Sequence, residues 1–236
     1  MKLHFSEERV LAVVAHPDDA ELLCAGTLAR AKADGATLGI CVLCRGDKGQ
    51  PAKSVINLAA VRKRETAAAA RLLGAQLCFP GFADGTLSDH AQTRKVLVQL
   101  YREFRPTLVL AHSAEDYHPD HRAASQLAEA GTWFCASHGH KTRSPALAEP
   151  PALWWMDTVG MSRFEPGFYI NISDYVGIKE RMLACHRSQL ARAKDANFTP
   201  LADLMSLQYH TRGAQAGVAA AEAFQIHRAL KRARAW

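Results

Sequence analysis

The amino-acid sequence predicts an α/β fold: a Rossmann-like, mostly parallel sheet with helices on both faces, in a single domain. Three observations predict it. Short apolar runs alternate with longer helix-like segments in a βαβαβαβα order, which a parallel sheet with crossover helices accommodates. The 236 residues are enough to bury one sizeable core. No internal repeat and no inter-domain linker divides the chain.

Residues 10–15, an unbroken apolar run, read as a buried first strand. An alanine- and leucine-rich helix follows over 21–33, with Gly35 as its stop. Residues 37–44 read as the second strand, 57–73 as a helix closed by Gly74, and 76–79 as a short third strand. Ser88 or Asp89 is the expected cap of a helix running to Phe104, and Pro106 precedes a strand over 107–111. Pro119 opens the next helix, because a proline in the first turn leaves no hydrogen bond unmade. Beyond Phe134 the pattern changes. Residues 138–151, rich in small residues, proline and charge, read as a loop and a candidate lid. Residues 153–159 and 167–172 read as strands, 174–190 as a helix, and 216–235 as a C-terminal helix.

A hydrophobic fraction of 48% and a charged fraction of 22% are ordinary for a soluble globular protein. No apolar run approaches the roughly 18–20 residues that cross a bilayer. The first ten residues lack the apolar segment of a signal peptide, so a cytoplasmic location and no membrane partner are expected. The six cysteines are scattered through apolar segments and read as reduced core thiols. Cys41 and Cys44, three apart on a strand, point to opposite faces and argue for core packing over a second metal site. The net charge of +6 comes largely from residues 227–234 and from Arg62-Lys63-Arg64. No nucleic-acid motif accompanies these charges, so they read as a solvated basic helix, with a field that equally favours an anionic small substrate. Self-association into a homo-oligomer is left open.

Ligands of parallel α/β sheets bind beyond the carboxyl ends of the strands. Two polar clusters fall there: His16-Pro17-Asp18-Asp19 after the first strand, and the run from His112 to His121 after a later one. A catalytic zinc takes three ligands from His, Asp, Glu or Cys and keeps a fourth position for water. His16 and Asp19 can face one ion, and His121 can supply the third ligand from the first turn of its helix. Asp18 is then free to act as general base, and a protonated His118 could stabilise an oxyanion and assist the leaving amine. Asp120 is a natural partner to keep His118 charged. The bland alternative is that Asp18 or Asp19 simply caps the following helix.

At these residues the chain resembles the PIG-L/LmbE-like family of zinc-dependent N-acetylglucosaminyl deacetylases. Ala15-His16-Pro17-Asp18-Asp19 resembles the family's AHPDD signature and His118-Pro119-Asp120-His121 its HPDH signature. Gly46-Asp47-Lys48-Gly49, the RxxE of Arg62 to Glu65, and Asp84-Gly85-Thr86-Leu87 are similar to further family turns and helices. So are Lys179 with His186-Arg187-Ser188-Gln189, and Glu222-Ala223-Phe224 near the C-terminus. The resemblance implies zinc on His16, Asp19 and His121, Asp18 as base, and His118 with Asp120 at the oxyanion and leaving group. It also implies that Arg62 reaches toward the substrate, the alternative being an ion pair with Glu65. Two departures stand out: Ala20 follows the paired aspartates where glutamate is common, and Cys44 stands where a threonine-like residue is common.

The expected function is therefore zinc-dependent removal of an N-acyl group, acetyl above all, from a small amino-sugar-like substrate. The alternatives are an amidase acting on a thiol conjugate or a secondary-metabolite amide and, behind it, an Fe(II) oxygenase, since two histidines and a carboxylate also make a facial triad. Another divalent metal such as Fe2+ could replace zinc. His138 with His140 could bind metal but read as part of a solvent loop, and one of Trp154 or Trp155, with Tyr169, could stack on a sugar ring, while His186, Tyr209 and His210 are left without an assigned role.

Overall fold

The computed structural model describes residues 4–195 and 198–229. Its strands are β1 (Arg9–Val14), β2 (Thr37–Val42), β3 (Gln76–Cys78), β4 (Leu108–His112), β5 (Ala152–Met156), β6 (Phe168–Asn171) and β7 (Ala221–Ile226). Its helices are α1 (Asp19–Leu23), α2 (Ala25–Ala33), α3 (Leu58–Leu73), α4 (Ala91–Phe104), α5 (Pro119–Phe134), α6 (Val176–Leu183), α7 (Arg187–Leu190) and α8 (Leu201–Ala216). The sheet order is β3-β2-β1-β4-β5-β7-β6. Strands β1 to β5 run parallel, and β7 is antiparallel to both of its neighbours.

Strand β1 shows why its sequence is apolar from Val10 onward. Successive side chains alternate between faces, and both faces are covered. Val10, Ala12 and Val14 join the layer of α1, α2, α3 and α6, while Leu11 and Val13 join the layer of α4 and α5. On β2, Gly39 lets Phe104 press against the sheet, since an added Cβ would lie 2.6 Å from that ring. The chain leaves β1 toward β2 on one side and leaves β4 toward β5 on the other. A crevice therefore opens between the carboxyl ends of these adjacent strands.

Several elements differ from expectation. The helix expected over 21–33 is two helices, broken at Cys24. The break is held by a buried pair: Glu222 accepts the Gly26 and Thr27 N–H groups at 2.9 and 2.7 Å, capping α2. Lys179 donates to Glu222 at 2.6 Å and to the Leu22 carbonyl at 2.8 Å. The helix expected over 174–190 divides likewise into a short 3-10 turn, α6 and α7, and Glu65 accepts the N–H and hydroxyl of Ser188 in the new first turn. The cap of α4 is His90, in a reciprocal box with Thr93, because Asp89 is paired with Arg94.

The helix expected over 216–235 is not formed where the chain is described. Instead α8 ends at Gly217 (φ 70°), and Ala221–Ile226 become β7 between β5 and β6; the rest of that expectation lies outside the described residues. Small residues at 219–221 and 223 favour a helix by propensity, but a sheet vacancy beside β5 overrides it. The 138–151 loop packs on α4 through Gln99 and Arg102, and none of it lines the crevice. Helix α5 runs back from the carboxyl end of β4, so the segment after it emerges at the opposite rim. Among the described residues, no helix is long and apolar enough to cross a membrane, and all six cysteines are free.

Candidate metal centre and active site

The chain leaves β1 through a turn that the sequence makes sharp. Asp18 takes a left-handed conformation (φ 93°), rare and costly for a residue with a side chain. Asp19 Oδ2 closes the turn by accepting the His16 N–H at 2.7 Å. The other half of the site leaves β4, where Asp116 Oδ1 accepts the His118 N–H and contacts His121 Nδ1, both at 3.0 Å. His118 caps α5 with its Nδ1, which accepts the Asp120 N–H at 3.1 Å. His121 lies in the first turn of α5.

These turns bring three candidate ligand atoms together. His16 Nδ1 and His121 Nε2 are 3.3 Å apart, and Asp19 Oδ2 is 3.6 Å from the first and 3.4 Å from the second. Zinc bonds of about 2.0–2.1 Å in a tetrahedron require ligand atoms about 3.3–3.4 Å apart. The donor set and the triangle's edges thus fit a divalent ion such as zinc. His112 and His118 extend the same cluster, each within 4.8 Å of two other candidate ligand atoms. His112 Nε2, however, accepts the Ala15 N–H at 3.1 Å, which occupies its lone pair, and its ring stacks on His121 at 4.0 Å.

A second layer orients these side chains. Asp116 holds His121. Asp120 Oδ2 contacts His16 Nε2 at 3.0 Å and accepts the Gly85 N–H at 2.7 Å, so Asp120 serves His16 and not, as expected, His118. Asp18 Oδ2 accepts from Arg62 Nη2 at 2.9 Å, and the same guanidinium reaches the carbonyls of Pro17 and Gly46. The alternative Arg62–Glu65 pair does not form, since Glu65 binds Ser188. Gly46 (φ 71°) has no room for a side chain, because a Cβ would meet the Arg62 guanidinium at 2.6 Å. Asp84 fixes this turn by accepting the N–H groups of Gly46 and Lys48 at 2.7 and 3.0 Å.

The electrostatics follow from this packing. Burial raises the Asp18 carboxyl above its ordinary range, and Arg62 offsets only part of that. Burial acts likewise on Asp19, but His121 and His112 beside it hold that carboxyl well below the usual range. Burial alone would lower His16, yet hydrogen bonds to Asp120 and Asp19 push it up to about 10 in the absence of an ion. His118 is lowered by burial and by the neighbouring His121 and His16.

All seven residues singled out from the sequence (His16, Asp18, Asp19, Arg62, His118, Asp120 and His121) line one cavity of about 520 Å³. Lys48, Gln189, Arg192, Phe198, Leu201 and Leu204 also line it. Sequence reasoning placed His112 and Asp116 in the rim cluster and Asp84 in a family-like turn but gave none of the three a role. The signal for Asp116 was its place five residues before His121 in the same polar run. Cys44 Sγ comes within 4.8 Å of His16 and Asp120 ligand atoms, so it borders the site and is not remote from it. The other candidates lie elsewhere. Trp154 is buried among Phe5, Phe168 and Phe224, Trp155 packs against His227, and Tyr169 bonds Gln215. His140 stacks on Phe134, Tyr209 donates to Glu180, and His210 contacts Ser206. His138, in the 138–151 loop, does not line the cavity. His186 is buried 3.3 Å from Glu21, behind the site.

Residues 11–131 match the PIG-L family, described as GlcNAc-PI de-N-acetylase. A diacetylchitobiose deacetylase of Thermococcus kodakarensis is 29% identical over 77% of this chain and 70% of its own length. A 4-oxalmesaconate hydratase of Pseudomonas putida is 28% identical over 61% of this chain, a match that spans only 59% of that relative. Among solved structures, a conserved protein of Thermus thermophilus superposes with a TM-score of 0.81 at 33% identity, covering 97% of this chain and 100% of that one.

Proposed function

The chain belongs to the PIG-L family, and from that premise we propose that it is a metal-dependent hydrolase that removes an N-acyl group, acetyl first of all, from an amino sugar or a related conjugate. The observation that carries this reading is the triangle of His16 Nδ1, Asp19 Oδ2 and His121 Nε2, three ligands facing one point on the wall of an open cavity. Zinc bound there would make water acidic enough to deprotonate near neutral pH and would polarise the amide carbonyl.

The chain's own residues divide the remaining work. Asp18 is held by Arg62 and, with its raised pKa, is matched to accept the proton of the attacking water. His118 cannot carry a proton on Nδ1 while that atom accepts the Asp120 N–H, so the ring acts as a neutral Nε2–H donor. In that state it stabilises the developing oxyanion, in place of the protonated imidazole expected from the sequence. The proton taken by Asp18 then passes to the departing nitrogen, releasing a free amine and a carboxylic acid. Arg62 is a positioning residue for Asp18.

A second reading is favoured by one observation, the similarity to a protein named as a hydratase, since the same centre could direct water at a carbon–carbon double bond. Incubating metal-loaded protein with a panel of acyl amides and unsaturated carboxylic acids separates the two. Free amine with equimolar acid supports the hydrolase; a hydroxy acid, with no amide cleaved, overturns it. His121→Ala should lose most bound zinc, and normal zinc content in that variant would break the ligand assignment.

A further inference from the structure

We propose that the mouth of the same cavity binds an anionic group of the substrate, a carboxylate or phosphate remote from the reacting amide, between Lys48 and Arg192. This inference rests on the hydrolase reading above. Four carboxylates line the cavity, and each is engaged within the site. Asp18 is paired with Arg62, Asp19 with His16 and His121, Asp120 with His16, and Asp84 with two backbone N–H groups. Of the three Lys and Arg side chains in the lining, Arg62 is committed to Asp18. The Lys48 ammonium is exposed and has no ion-pair partner among the described residues.

Arg192 is placed but not saturated. Its guanidinium lies 4.1 Å from the centre of the Phe198 ring and donates through Nη1 to Gln189 at 3.3 Å. Its Nε is 3.6 Å from Asp195, whose carboxylate also accepts the Ala52 N–H and does not line the cavity. Nε is buried without a hydrogen bond, and among the described residues Nη2 makes none either, which leaves the end of the fork available. Arg192 and Lys48 come from different segments that are tied together, since Gln189 donates to the Gly49 carbonyl at 3.0 Å. A Cβ on Gly49 would lie 3.6 Å from Arg192 Nη1, so the guanidinium sits directly against the Lys48–Gly49 turn. Two cations on facing segments, beside the apolar wall of Phe198, Leu201 and Leu204, form a place where an anionic group would gain charge-assisted contacts.

The test compares three substrates of zinc-loaded, full-length protein: the methyl glycoside of N-acetylglucosamine, its 1-phosphate and its carboxymethyl glycoside. The readout is the ratio of kcat/KM for each anionic substrate to that for the neutral one, within each variant, so that general damage cancels. The unsubstituted protein should favour at least one anionic substrate. Lys48→Met and Arg192→Met should each lower that ratio about 10- to 100-fold, the value of a hydrogen bond to a charged group. Lys48→Arg and Arg192→Lys should keep part of it, and added salt should shrink it. Whichever anionic substrate loses more identifies phosphate or carboxylate as the group recognised. Cleavage of all three with ratios that neither Met variant moves overturns the anionic subsite alone. Cleavage of none overturns the hydrolase reading beneath it.

Discussion

Replacing Asp120 with Asn isolates a step that the geometry assigns to ligand orientation. The carboxylate lies 3.0 Å from His16 Nε2 and also accepts the Gly85 N–H, while His16 Nδ1 faces the metal position. Asparagine keeps the size and one acceptor, which Gly85 can use, but removes the charge that fixes the His16 tautomer and strengthens it as a ligand. Loss of such an outer partner typically weakens metal binding about 10- to 100-fold, which corresponds to roughly 1.4–2.7 kcal/mol. Competition against a metallochromic chelator at neutral pH measures this directly, and turnover at saturating zinc shows whether chemistry suffers separately. The expected result is weaker zinc binding with most of kcat recovered once the site is filled. Unchanged affinity with kcat lost would refute the assignment and return Asp120 to a direct part in the reaction.

Three other outcomes follow from the same geometry. Asp18→Asn should retain zinc by elemental analysis while kcat falls about 10²- to 10⁴-fold, the usual contribution of a general base; unchanged turnover excludes Asp18. In metal-free protein, the raised pKa of His16 contributes stability that is full below about pH 6.5 and is lost as pH rises through about 10. Zinc instead needs the deprotonated ring, so thermal melts should show the zinc-induced gain in Tm growing as pH rises across that window; a gain independent of pH contradicts the role of His16. Lys179→Met should lower the unfolding free energy by about 3–5 kcal/mol in urea titrations, because it leaves Glu222 buried without its partner. A change below about 1 kcal/mol would mean that Glu222 is satisfied by the α2 amides alone.

The parallel core and the rim on which the site lies were legible in the sequence because both follow from local pattern. Unbroken apolar runs mark strands covered on both faces, and the polar clusters after β1 and β4 fall at strand ends. What escaped depended on contacts between distant segments. The break at Cys24 exists because Glu222, nearly two hundred residues away, caps α2. Strand β7 contradicts the helix propensity of its alanines because it fills the gap between β5 and β6. In the site, chain proximity suggested Asp120 as the partner of His118, whereas the fold turns its side chain to His16. Similarly, Arg62 meets Asp18 because the Gly46 turn, held by Asp84, leaves space for its guanidinium. The cationic mouth could not be read at all, since Lys48 and Arg192 reach one cavity only because Gln189 of α7 ties the segment before Arg192 to the 46–49 turn.

Anomalous diffraction at the metal absorption edge, from crystals of zinc-loaded protein, tests the central claim most directly. A single peak about 2.0–2.2 Å from His16 Nδ1, Asp19 Oδ2 and His121 Nε2 is the predicted result. A peak held instead by His112, or by Cys44 with Asp120, would contradict it.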